Sequence, residues 1–98
     1  VLGDMLELGE FEERGHRMVG ARAAEVAEEL ITVGERARWI ADEALQSGLE
    51  QGRVHILPDS QAAIEHLRGR IGGADVVLIK GSRGMRMDQI VAALESSE

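Results

Sequence analysis

Cysteine and tyrosine are absent from this chain, and proline, tryptophan and phenylalanine occur once each in 98 residues. Without cysteine there is no disulfide framework, no thiolate metal site and no cysteine nucleophile, a composition that suits a reducing compartment. No apolar run approaches the roughly 20 residues of a membrane span, and the first residues do not read as a secretory signal. Positive charge is scarce: 11 Lys and Arg against 18 Asp and Glu give a net charge of -7. That sign is wrong for a nucleic-acid-binding surface. What remains is a folded-protein composition, 44% hydrophobic despite 30% charged residues, and its length suits one domain, residues 1–98.

Four apolar segments alternate with four helical patterns. Strands are expected at Val1-Leu2, Leu30-Ile31-Thr32-Val33, Val54-His55-Ile56-Leu57 and Val76-Val77-Leu78-Ile79. The second and fourth are continuous and rich in β-branched residues, as strands covered on both faces are. The first is shorter than a normal strand, so the chain reads as beginning inside one. Helical stripes run through Val19, Ala23, Val26 and Ala27, and through Ala37, Ile40, Ala41, Ala44 and Leu45. Gly48 suits the stop of the second helix. Ser60 is the expected N-cap of a third, carrying Ala63, Ile64, Leu67 and Ile71. The fourth shows Met87, Ile90, Val91 and Leu94. Gly15 suits a late start of the first helix, and Gly20 suits close packing against a strand. This alternation predicts an α/β fold with three layers, a mostly parallel sheet between helices and a truncated first strand.

Such a sheet gathers its functional loops at the carboxyl ends of its strands. Here those loops are Gly3–Gly9, Gly34–Arg36, Pro58–Ser60 and Lys80–Gly84. In the last, backbone amides of Gly81 and Ser82, a hydroxyl and the cations Lys80 and Arg83 stand together where an anion could bind. The same residues also suit a plain glycine-punctuated turn. Neither a phosphate loop of the G-x-x-x-x-G-K-[ST] type nor a G-x-G-x-x-G dinucleotide fingerprint is present. Asp4 stands at the tip of the first strand, either to orient a substrate amine or to cap its turn. Glu10, Glu12 and Glu13 suit the positive end of the first helix. His16, His55 and His66 share no metal-ligand spacing and read as satisfied structural residues, and Trp39 as edge-of-core packing. No catalytic residue and no metal site is expected within these residues.

The strings Val1-Leu2-Gly3-Asp4-Met5-Leu6-Glu7-Leu8-Gly9 and Val77-Leu78-Ile79-Lys80-Gly81-Ser82-Arg83-Gly84-Met85-Arg86-Met87 are long and unusual. With His16, Val19-Gly20 and Leu30–Gly34 in the same order, they resemble the C-terminal domain of the Mur ligase family. The likeness is to the branch that joins D-Ala-D-Ala to UDP-MurNAc-tripeptide. It covers essentially the whole chain, with Asp88 standing where the family pattern has Glu. The resemblance implies a Rossmann-like lid that closes over a central ATPase domain of the same chain, in a cytoplasmic enzyme of peptidoglycan precursor synthesis. That enzyme uses ATP and Mg2+, bound mainly by the central domain, to activate a carboxylate as an acyl phosphate. The central and UDP-substrate domains are not in this sequence, so these residues alone are expected to be inactive. On the same implication, Asp4, Met5, Lys80, Gly81, Ser82 and Arg83 are the candidate substrate- or nucleotide-binding residues.

Two other readings compete. A receiver-like regulatory module would use Asp4, Asp59 and Lys80 as its pocket, although it wants two acidic residues after the first strand. A generic α/β interaction domain would use the glycine loops only as turns.

Overall fold

Leu30-Ile31-Thr32-Val33 forms strand β2, and all four residues are buried. Because alternate side chains leave a strand on opposite faces, this one segment seeds two cores. Ile31 and Val33 pack with Ala63, Ile64, Leu67, Met87 and Ile90 on one face. Leu30 packs with Ala23, Ala37, Ile40 and Ala44 on the other. Each fully buried Leu or Ile contributes about 1.5–3 kcal/mol through the water it releases. A computed structural model describes residues 1–71 and 75–96, apart from the side chains of Arg83 and Ser96.

Strands β1 (Leu2–Gly3) and β3 (Val54–Leu57) flank β2 in parallel, giving the order β1-β2-β3. Leu2 stands opposite Thr32, and Leu30 opposite Val54. Helices α1 (Glu12–Val26) and α2 (Arg38–Gln46) cover the Leu30 face, while α3 (Ser60–Leu67) and α4 (Asp88–Ser96) cover the other. The expected three-layer α/β arrangement is therefore present.

Several local expectations need correction. Val76–Ile79 does not form a regular strand. Its end bonds to the chain start, the Leu78 carbonyl accepting from the Val1 amine and Lys80 forming an isolated parallel bridge with Leu2. Val76 and Leu78 are 99% and 67% exposed. An apolar, β-branched run becomes a buried strand only if a neighbour supplies its ladder, and the two residues of β1 supply one bridge. Gly15 lies inside α1 rather than starting it. Gly20 packs against α2 and not a strand, since a Cβ there would strike the Ile40 carbonyl and Glu43. The N-cap of α3 is Asp59, whose Oδ1 accepts from Ala62 N–H at 2.8 Å. Ser60 is the first helical residue, and its hydroxyl donates to the Met85 carbonyl at 2.6 Å. α3 ends at Leu67, short of Ile71, which still packs on the core from outside the helix. Gly48 does follow the end of α2, in the left-handed region at φ 109°.

Candidate functional site

The Gly3–Gly9 and Lys80–Gly84 segments meet at the carboxyl edge of the sheet, joined residue by residue. Gly3 N–H donates to the Lys80 carbonyl at 2.8 Å, and Ser82 N–H to the Asp4 carbonyl at 3.0 Å. Leu6 N–H donates to Ser82 Oγ at 2.8 Å, and that hydroxyl donates onward to Glu7 Oε2 at 2.5 Å. Glycine makes the approach possible: a Cβ at Gly81 would come within 2.9 Å of Met87 Cγ and 3.2 Å of Gly3 Cα. The two motifs, 75 residues apart along the chain at Glu7 and Ser82, thus form one structure.

Asp4 supports this structure from inside. Its side chain is buried, Oδ1 accepts from Ala37 N–H at 2.7 Å, and Oδ2 lies 3.7 Å from Arg36 Nη1. Ala37 is the N-cap of α2, so the carboxylate sits at that helix's positive end. Asp4 makes a capping contact, but to the start of α2, 33 residues on, rather than to its own turn. Arg36 Nε also lies 2.9 Å from Glu12 Oε2. Glu12 first, and Asp4 after it, hold the half-exposed guanidinium more firmly charged than usual. One cation thereby ties the loops after β1 and β2 to the start of α1.

Met5 N–H donates to His16 Nε2 at 3.0 Å, so neither this amide nor that of Ser82 is open to a ligand. The Ser82 hydroxyl is likewise engaged at both ends. These two residues shape the edge in this state. Lys80 has an exposed side chain, and Gly81 N–H has no hydrogen-bond partner among the described residues. The Arg83 side chain lies outside the described residues. Gly81 and Ser82 also line an open hollow of about 470 Å³ with Arg86, Met87 and Asp88. Arg86 is the one non-glycine residue among those described with a positive φ, 54°.

Glu7 is exposed, and the Ser82 hydroxyl, followed by its own backbone amide, holds its carboxyl below the ordinary 4.5. A depressed folded value means that the contact stabilises the latch above the ordinary carboxylate range and is lost as pH falls through the folded value. An NMR titration of the Glu7 carboxyl should therefore give a midpoint below 4.5 that rises toward the ordinary value in Ser82→Ala. Identical midpoints in the two proteins would remove the latch.

The sequence marked the two glycine loops but not their supports. His16 was legible as a structural residue and as part of the family pattern, while Arg36 and Glu12 carried no motif. Gly34, directly after a buried strand, was the available signal for a tight turn there. His55 departs from expectation: its Nε2 is buried without a hydrogen bond, 3.7 Å from Glu29 Oε1, and its ring lies 4.3 Å from that of His66. Trp39 is half-buried and tilted 5.7 Å from the His16 ring, as edge packing requires. Among the described residues no three His, Asp or Glu side chains are placed to hold a metal ion, and no helix is long and apolar enough to cross a membrane. The carboxylates that a receiver-like pocket would use, Asp4 and Asp59, are engaged in capping α2 and α3.

Comparison with known proteins gives the family. The family described as Mur ligase, glutamate ligase domain, matches residues 1–83. The chain is 35% identical over 98 residues to the UDP-N-acetylmuramoyl-tripeptide--D-alanyl-D-alanine ligase of Bacillus subtilis (strain 168), covering 99% of this chain and 21% of that protein. It is 31% identical over 58 residues to a CinA-like protein of Akkermansia muciniphila, covering 59% of this chain and 14% of that protein. The chain thus spans about a fifth or less of the length of these relatives. No solved structure matches significantly. With the family match spanning residues 1–83, the chain belongs to the Mur ligase family, in its glutamate ligase domain.

Proposed function

We propose that these residues form a single lid domain of a cytoplasmic, ATP-dependent ligase that joins D-Ala-D-Ala to UDP-MurNAc-tripeptide in peptidoglycan precursor synthesis. The observation that carries the reading is the latched pair of glycine loops at one sheet edge, in a chain similar throughout to a ligase of that name. In this reading Lys80, Gly81 N–H and Arg83 receive the carboxylate of the incoming dipeptide. Asp4, Met5 and Ser82 hold the loops that place them. ATP supplies the phosphoryl group that turns the tripeptide carboxylate into an acyl phosphate. The dipeptide amine then attacks the carbonyl carbon, and inorganic phosphate leaves as the amide forms.

The chain's own share is binding, orientation and exclusion of water. An acyl phosphate open to solvent would hydrolyse, and closing the glycine edge over a partner domain removes that water. In this reading the nucleotide and Mg2+ are held mainly by that partner domain.

In a ligase containing this domain, Lys80→Ala and Arg83→Ala should each raise KM for D-Ala-D-Ala by about 10- to 100-fold, the usual loss for a truncated charged hydrogen bond. Wild-type kinetics in both variants would refute the reading. The 98-residue chain alone, given ATP, the tripeptide nucleotide and D-Ala-D-Ala, should release no phosphate above background.

A further inference from the structure

His16 is fully buried on the first half of α1, where it meets the Gly3–Gly9 loop. Its two ring nitrogens face groups that can each play one part only. A backbone N–H can only donate, so Nε2, 3.0 Å from Met5 N, must present a lone pair. A carbonyl can only accept, so Nδ1, 2.5 Å from the Glu12 carbonyl, must carry the proton. Together the contacts select the tautomer that carries its proton on Nδ1 and leaves Nε2 as the acceptor. The preceding residue reinforces the arrangement: Gly15 lacks a side chain where one would strike Leu8, so α1 touches the loop at two consecutive positions.

We propose that His16 is a positioning residue that fixes the Gly3–Gly9 loop for binding. Met5 is the residue between Asp4, whose carbonyl takes Ser82 N–H, and Leu6, whose amide holds Ser82 Oγ. Holding the Met5 amide therefore sets the spacing of both contacts to Ser82 and the placement of Gly81 beside Gly3. Its consequence for affinity rests on the ligand reading above, whereas its consequence for the loop does not.

The test has a ligand-free arm and a kinetic arm. Imidazole ¹⁵N spectra of the 98-residue chain at neutral pH should show a protonated Nδ1 and an unprotonated Nε2 on His16. His16→Leu removes both contacts, while His16→Gln keeps an acceptor at the Nε2 position. The Leu6 and Ser82 amides should exchange faster in His16→Leu and be restored at least in part in His16→Gln. A protonated Nε2, or equal exchange in the two variants, overturns the proposal. In a ligase containing the domain, His16→Leu should raise KM for D-Ala-D-Ala on the order of 10- to 100-fold with a smaller change in kcat, and His16→Gln should recover most of it. If Lys80→Ala and Arg83→Ala raise KM but His16→Leu does not, the positioning role falls and the ligand reading stands. If none of the three changes KM, the ligand reading falls with it.

Discussion

Replacing Gly34 by alanine should destabilise this chain by about 2–5 kcal/mol, the sum of a left-handed backbone penalty and an overlap that cannot relax cheaply. Gly34 directly follows β2 at φ 105°, with its N–H donating to the Leu57 carbonyl at 3.0 Å, so its conformation is held by the sheet. A Cβ there would lie 2.5 Å from Asp4 Oδ1 and 2.6 Å from the Met85 methyl. Asp4 has no freedom to retreat, because the same oxygen holds Ala37 N–H. Urea denaturation reads the effect as a lower midpoint at constant slope. Gly48→Ala is the internal control: its φ is 109° but nothing lies near its Cβ, so it should show only the backbone penalty, about 1–2 kcal/mol. Equal losses at the two positions would mean that Gly34 touches nothing of consequence.

Asp4→Ala should cost about 2–4 kcal/mol, by a different route. Deleting the carboxylate leaves the buried Ala37 N–H without an acceptor and removes a negative charge from the start of α2. It also leaves Arg36 with Glu12 alone. Asp4→Asn retains an acceptor of the same shape and should lose about 1 kcal/mol, the charged part of the bond. Denaturant midpoints of the two variants, with hydrogen exchange at the Ala37 amide, separate these contributions. If Asp4→Ala behaved like a surface substitution, within about 0.5 kcal/mol, the carboxylate would not be the support described here.

Much of the fold was legible because periodicity is local. β2 read as a doubly covered strand from Leu30-Ile31-Thr32-Val33 alone, and the stripe Ala37, Ile40, Ala41, Ala44 lies on the buried face of α2 and its N-cap. Errors arose where a tertiary neighbour decides. Val76–Ile79 has the composition of a core strand, yet only its end bonds to the chain start and Val76 and Leu78 stay exposed. Asp59 and Ser60 are both good caps by type, and the Met85 carbonyl settles the matter by taking the Ser60 hydroxyl. At the candidate site, the glycine loops could be located in sequence because turns advertise themselves. The partners of Ser82, Asp4 and His16 lie 75, 33 and 11 positions away, at Glu7, Ala37 and Met5, and no local pattern announces such separations.

The loop that carries the most distinctive string of the chain is tied down through its main chain at Gly3, Met5 and Leu6. The thioether of Met5 and the isobutyl group of Leu6 take no part in those ties. Exchanging either for another side chain of similar bulk should leave the edge intact, whereas a proline at Met5 or Leu6 would delete a donor and open it. The side chains that hold the edge are those of Asp4, His16 and Ser82, so Met5 and Leu6, prominent in the motif, are the residues free to vary.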